Sequence, residues 1–470
     1  MNNTKLYFTC IAFIFLFWNR YAIAQEDSKT TDKLFIDRID IKGNKKTKSF
    51  IIYRELEFDA QSWIAPKALD SLIYLSTNNL KRTPLFNFIN IKKTISNDTV
   101  SVLVDVVERW YIWPLPVFRI ADRNINEWIR RADISRVDYG VHFFWYNFRG
   151  RNEVLKLLVQ AGYENQFELG YSIPYINKRK NLGLDLSIGY RDYKEVAYNV
   201  NGDTLTYYIN RTMNPEIQFF SNIGLSYRPD YNNVHSFGLS YRRSTFSDTL
   251  LLLNPSFTYK SKGDPEFLTL RYKYTSDFRD QKSYPLNGYH FSLELSKLGL
   301  GLLNQQYDSW LARSEFDWYK KVAKDIYYAV DVTSLFSFGK ELPFNLQPGI
   351  GFYGDVVRGY DHYVTKGKNY GLIKNNFKYT IIPTKVKNIN FIKTEKFSKV
   401  HYALYLNLFF DVAYVDTYSH NPINRLEDTL IYGYGIGLDF VTYYDMVWRL
   451  EYSFNKFGES GFFINFSAPI

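Results

Sequence analysis

Few residues in this chain are set up for chemistry. In YGDVVRGYDHY, residues 353–363, one arginine, Arg358, stands between a valine and a glycine amid tyrosines. A guanidinium takes a carboxylate through two parallel N–H···O bonds, and where water is scarce an unpaired one costs several kcal/mol, so it asks for an acidic partner. Patterns for bond-making chemistry do not occur. There is no Gly-x-Ser-x-Gly elbow, and the scattered Asp and Glu form no recognisable catalytic pair. GYGIGLDF (433–440) has glycines at alternate positions, which is strand spacing and not a phosphate loop; its Asp439 reads as a hydrogen-bonding residue on a polar strand face. The 6 histidines lack metal-ligand spacing, and the single cysteine, Cys10, lies in a segment expected to be removed. Neither metal nor cofactor is expected, and the chain reads as non-enzymatic.

The scaffold begins with MNNTKLYFTCIAFIFLFWNRYAIAQ. A lysine near the start, an apolar run of about a dozen residues and Ala22-Ile23-Ala24 have the layout of a secretory signal peptide over 1–24, cleaved between Ala24 and Gln25. The run is shorter than the ~20 residues a spanning helix needs, and no stop-transfer flank follows. The whole chain carries a net charge of +10; without Lys5 and Arg20 the remainder has 56 basic against 48 acidic residues, or +8. So mild an excess suits an acidic lipid surface, and no basic run is dense enough to bind nucleic acid.

Residues 33–109 read as a small α+β domain. LFIDRIDIKGN is a strand closed by the turn pair Gly43-Asn44, and KSFIIYRELEF and PKALDSLIYLSTNNLKR have helical spacing, with Leu69, Leu72 and Ile73 on one face. FNFINIKKT and VSVLVDVVE alternate as two strands around SNDT, completing a β-α-α-β-β order. Residues 110–137 read as a linker stiffened by WPLP; its Trp110, Trp113 and Trp128 mark the entry to a membrane or pack between domain and barrel.

From residue 138 to 470 the period is two. Leu155, Leu157, Val159, Ala161 and Tyr163 share one face, opposite Lys156, Gln160 and Gly162. In LYLNLFFDVAYV the apolar set Leu404, Leu406, Leu408 and Phe410 puts Asp411 on the polar face. A soluble sandwich also alternates. Aromatic residues at strand ends, glycines on the polar face and a 19% aromatic content with no long apolar run favour a transmembrane β-barrel. At about 20 residues per strand and connection, 16 antiparallel strands fit, and 14 also would. The last strand, GFFINFS, is short, with Phe462, Ile464 and Phe466 outward; Pro469 behind it cannot donate a ladder bond. A weak seam there would leave a strand edge open to a client.

The order of these segments resembles that of BamA/TamA-like outer-membrane proteins, in which a POTRA domain precedes a 16-stranded surface-antigen barrel of the insertase and two-partner-secretion superfamily. IDIKGNKKT, RELEF and LFNFINIKK followed by VLVDVVE resemble the POTRA pattern. YNFRGRNEVLKL resembles the family's first loop, LGYSIPYI the end of its third strand, and TSDFRDQKSYPLNGYHF its Asp-Arg, Pro-x-x-Gly hairpin. LPFNLQPGIGFYGDVVRGY ends in a sequence resembling the family's Val-Arg-Gly-Phe/Tyr signature. The resemblance implies that Val357, Arg358, Gly359 and Tyr360 form the tip of a sixth loop folded into the lumen, with Asp411 as partner to Arg358. Ala413 stands where the family's strand has glycine.

It also implies a place in the Gram-negative outer membrane, POTRA in the periplasm, and contact with lipid, with unfolded outer-membrane or secreted clients, and with accessory lipoproteins. Three functions follow. The first is an assembly or insertion factor for outer-membrane proteins, acting through POTRA and the barrel seam. The second is a translocation pore that secretes a partner protein or moves lipid. A passive porin is disfavoured, since porins lack a POTRA module.

Overall fold

The computed structural model describes residues 33–470, except 132, 178, 180, 211, 304–305, 353, 389–398, 443–445 and 468–470. The expected signal segment with Ala24 and Gln25, and the terminal Pro469, lie outside the described residues.

The N-terminal unit comprises β1 (Leu34–Lys42), α1 (Ser49–Arg54), β2 (Ser62–Ile64), α2 (Pro66–Arg82), β3 (Phe86–Ser96) and β4 (Thr99–Glu108). Its sheet runs β2-β1-β4-β3, and β1 lies parallel to β4. The short edge strand β2 adds to the expected β-α-α-β-β order. Alternation in β4 buries Val100, Val102, Val104 and Val106 against Ile51 and Ile52 of α1 and Leu69 and Leu80 of α2. Gly43 has φ +91°, and a Cβ there would sit 1.9 Å from the Val106 carbonyl oxygen, so only glycine fits the turn. Asn44 closes it by donating from Nδ2 to the Thr47 carbonyl at 3.0 Å.

Sixteen strands form the barrel. They are β5 (Ile112–Ile120), β6 (Val137–Phe148), β7 (Glu153–Gly162), β8 (Glu164–Ile173) and β9 (Leu182–Tyr193), then β12 (Glu216–Tyr227), β13 (Asn233–Phe246), β14 (Glu266–Asp277), β15 (Gly288–Leu298), β16 (Ser309–Ala323) and β17 (Ile326–Gly339). The series closes with β20 (Asn369–Asn388), β21 (Lys399–Asp416), β22 (Leu430–Thr442), β23 (Met446–Asn455) and β24 (Ser460–Ser467). The hairpins β10 (Glu195–Asn201) with β11 (Thr204–Ile209), and β18 (Gly349–Ile350) with β19 (Thr365–Lys366), stand outside this sheet. Each barrel strand pairs antiparallel with its neighbour in chain order, and β5 and β24 end the order. Among the described residues no ladder joins those two ends.

The faces follow the sequence alternation. Leu408 and Phe410 are 51% and 46% exposed, whereas Asn407 and Asp411 on either side of them are 2% and 0%. Tyr163 departs from its expected outward place: Gly162 at φ +127° breaks the alternation, and the Tyr163 hydroxyl is buried between Arg136 and Glu195.

The stretch 110–137 is not a linker. It holds β5 and the helix α3 (Ile125–Arg131), and β5 is the barrel's first strand. Pro114 and Pro116 hid it, because proline interrupts a strand pattern; an edge strand tolerates the missing N–H groups on its unpaired side. With β5 counted, LGYSIPYI ends the fourth strand and not the third. Trp110 and Trp113 stand at the entry to β5, while Trp128 lies on α3, away from that junction.

The turn after β6 touches the N-terminal domain: Lys48 N–H donates to the Gly150 carbonyl at 2.9 Å, and Asn147 Nδ2 to Thr47 Oγ1 at 2.9 Å. That defines the near end of the barrel. The connections holding α3, the β10–β11 hairpin, α4 (Asp248–Leu253) and residues 340–368 all emerge at the far end.

Candidate functional site: a loop and a helix inside the barrel

The connection between β17 and β20 folds back into the lumen. Its narrow stem is the β18–β19 pair, Gly349 opposite Lys366 and Ile350 opposite Thr365, and the segment between them carries Arg358 to the wall. There Arg358 Nε donates to Asp411 Oδ2 at 2.8 Å and Nη2 to Oδ1 at 2.5 Å, a bidentate fork. The Arg358 backbone N–H also donates to Oδ2 at 3.1 Å, and Nη1 to Asn376 Oδ1 at 2.7 Å. The guanidinium carbon lies 3.9 Å from the centre of the Phe409 ring, and Glu451 adds a second carboxylate at 3.6 Å.

The neighbours of Arg358 hold the tip by packing and backbone bonds. Val357 and Tyr360 are buried with Leu372, Ala413, Val415 and Ile431 of three strands. Tyr360 Oη donates to the Tyr432 carbonyl at 2.9 Å and accepts from Lys456 N–H at 2.9 Å. Gly359, φ +89°, gives its carbonyl to Asn455 Nδ2 at 3.2 Å. The wall is made thin to receive the loop: a Cβ on Gly433 would lie 2.0 Å from the Arg358 carbonyl oxygen. Ala413 keeps a regular register, opposite Leu372 and Ile431.

A second arginine grips the same loop. Arg313 of β16 meets Asp355 at 2.5 and 3.0 Å, and Tyr370 Oη donates to Asp355 Oδ2 at 2.7 Å. Sequence reading passed over Arg313, because a polar residue on an inward face looks like any other until a loop lies across it.

The third holder, also missed, is α3 with the two residues before it, Arg123 and Asn124. Arg123 donates to the carbonyls of Gly351, His362 and Asp361 at 2.6, 3.1 and 3.3 Å, and Asn124 Nδ2 to Asp361 O at 2.8 Å. Asn126 Nδ2 donates to Asp361 Oδ1 at 3.0 Å, and Glu127 bonds the His362 imidazole. A signal was present. Asn124 Oδ1 accepts from Glu127 N–H at 2.8 Å, and Asn-x-x-Glu is helix-start spacing. Burial raises the Glu127 carboxyl, but hydrogen bonds from His362 and Arg130 outweigh it and bring it down to about 2. For Asp361 the balance is reversed: burial, and then the charge of Glu451, outweigh the lowering by His362 and by the Asn126 hydrogen bond and push it up to about 6.

α3 also touches the last strand. Ile464 N–H donates to Asn126 Oδ1 at 3.1 Å. Phe462 and Phe466 of that strand are 73% and 48% exposed on the outer surface, whereas Phe463 is buried beside His362. Loop, helix and strands β5, β16–β17 and β20–β24 line a partly open cavity of about 1030 Å³, with Trp128, Lys378, Asp439, Glu451 and Ile464 among its walls. Asp439 accepts there from Tyr284 Oη at 2.7 Å. Among the described residues no cluster of three or more His, Cys, Asp or Glu side chains is placed to hold a metal, and no helix is long and apolar enough to cross a membrane.

Family and structure comparisons agree on the kind of molecule. A profile described as "Omp85 superfamily domain" matches residues 147–442. A POTRA profile, described as "Surface antigen variable number repeat", matches residues 34–109. A comparison with curated protein sequences gives no match. Among solved structures, BamA from Haemophilus ducreyi lacking POTRA domains 1–3 is similar at a TM-score of 0.57 and 15% identity, over 92% of this chain and 84% of that one. CdiB from Escherichia coli is similar at 0.60 and 10% identity, over 92% and 75%. CdiB from Acinetobacter baumannii gives 0.54 and 13%, over 93% and 73%.

Proposed function

We propose, from the premise that this chain belongs to the Omp85 superfamily, that it is an outer-membrane assembly factor that receives unfolded clients at its POTRA domain and passes them to the seam between β5 and β24. The family supports outer-membrane protein insertion or translocation as the general activity. The observation that carries the insertion reading is the seam. β24 pairs with β23 alone, it is only 8 residues long, and its other edge meets no strand among the described residues. Unpaired backbone groups facing lipid are costly, so such an edge favours pairing with an incoming strand. The POTRA sheet offers edges of its own, at β2 and β3, for extended segments of a client.

Translocation of a partner protein or of lipid is the second reading, favoured by the cavity of about 1030 Å³ beside the seam. In this conformation the loop and α3 occupy the lumen, so passage requires that they move. Accessory lipoproteins are proposed as further partners.

Depletion followed by surface proteomics separates the readings. General loss of outer-membrane barrels supports insertion. Loss of a single exported protein supports secretion, and a lipid-asymmetry defect alone supports lipid movement. Cysteines that lock β5 to β24 give the direct test: if the locked protein restores every depletion defect, the seam reading fails.

A further inference from the structure

We propose that Asn126 stands in for a client strand: its side-chain amide occupies the free edge of β24, and the lumen loop holds it there through Asp361. This rests on the seam reading above.

An edge strand turns alternate N–H and C=O groups away from its one partner. In the β23–β24 ladder Ile464 lies opposite Leu450, yet its N–H donates to Asn126 Oδ1 and so faces the seam. A carboxamide oxygen is chemically equivalent to a peptide carbonyl. Asn126 therefore gives β24 the same acceptor, at the same place, that an incoming strand would supply. The residue is 7% exposed, so water competes little for the contact.

The amide has one orientation. Its Nδ2 meets the Asp361 carboxylate at 3.0 Å and its Oδ1 meets a backbone N–H at 3.1 Å. An ionised carboxylate only accepts and a backbone N–H only donates, so turning the amide over would break both bonds. Asp361 is three positions beyond Arg358 on the same loop. A continuous path thus runs from Asp411 to Arg358, along the loop backbone to Asp361, and on through Asn126 to Ile464. When the loop leaves the wall, Asp361 leaves Asn126, and the Ile464 N–H becomes available to a client.

The test uses the purified full chain in detergent and a photoreactive peptide copying SGFFINFS, residues 460–467, as the strand probe. Binding is titrated and the cross-link is mapped. Asn126→Ala removes the competing acceptor and should tighten binding about fivefold, the ratio equivalent to one hydrogen bond of about 1 kcal/mol. Asp361→Ala leaves the amide unrestrained and should shift binding in the same direction by a smaller factor. If the probe cross-links to β24 equally well in wild type and both variants, the role of Asn126 is refuted while the seam reading stands. If it cross-links to β24 in none of them, the seam reading falls and takes this one with it. Loss of heat-modifiable barrel in both variants would make Asn126 a structural bolt, which also overturns the proposal.

Discussion

Arg358 and Asp411 meet through two side-chain hydrogen bonds of 2.8 and 2.5 Å and a third, of 3.1 Å, from the arginine's own backbone N–H. The third bond ties the carboxylate to the loop's main chain as well as to its side chain. Because Asp411 is fully buried, removing its cation leaves a charge with no solvent to accept it. Arg358→Ala should therefore cost about 3–5 kcal/mol of loop docking, read as a lower temperature for the heat-modifiable mobility shift in detergent. Asp411→Asn keeps an acceptor and should cost less. The charge reversal Arg358→Asp with Asp411→Arg should regain part of what each single reversal loses; no recovery at all would sink the pairing as a stabilising contact.

Arg313 on β16 and Asp411 on β21 hold one loop, through Asp355 and Arg358, so the contributions of the two arginines should not add. Arg313→Ala loosens the stem side and Arg358→Ala the tip. Limited proteolysis within residues 351–364 should accelerate in each, and the double variant should exceed the product of the two rates. Rates that multiply simply would mean that the two grips act on independent segments.

Gly433→Ala tests the thinned wall. A Cβ at that position would meet the Arg358 carbonyl oxygen at 2.0 Å, and a backbone oxygen cannot swing aside as a long side chain can. The expected outcome is a folded barrel with the loop displaced, seen as proteolytic sensitivity at the loop with a normal heat-modifiable shift. Gly371→Ala, where nothing lies within 4 Å, is the matched control and should behave as wild type.

Acid should act on the α3–loop contact in two opposite steps. Asp361 has its carboxyl raised from 3.8 to about 6, so between those values the folded state holds the extra proton and stability falls as pH rises. Glu127 has its carboxyl lowered from 4.5 to about 2; its contribution is complete above 4.5 and is lost as pH falls toward 2. The thermal midpoint in detergent should thus rise from pH 7 to about 5 and fall again below 4.5. Asp361→Asn should remove the first slope and Glu127→Gln the second.

Much of the architecture was legible in residues read a few at a time. A strand's faces alternate with period two whatever surrounds it, so Phe410 outward and Asp411 inward followed from LYLNLFFDVAYV alone. The POTRA core followed in the same way from the valines of β4 and the spacing of Leu69, Leu72 and Ile73. The same local logic failed at β5. Pro114 and Pro116 break the pattern there, and only the absence of a partner strand on one side makes them acceptable.

The contacts that needed the full fold lie between residues far apart in the chain. Arg358 and Asp411 are 53 positions apart, Arg123 and Gly351 are 228, and Asn126 and Ile464 are 338. Periodicity assigns each of these a face and a polarity, but which inward carboxylate an inward arginine reaches depends on strand order, register and the path of the loop across the lumen. Residue order alone specified a POTRA domain, an alternating barrel and an arginine in need of an acid. The family resemblance named Asp411 as that acid; the fold brought the pair together, drew α3 into the lumen and left the edge of β24 facing an asparagine in place of a strand, because those contacts exist only once sixteen strands have brought β5 and β24 near each other.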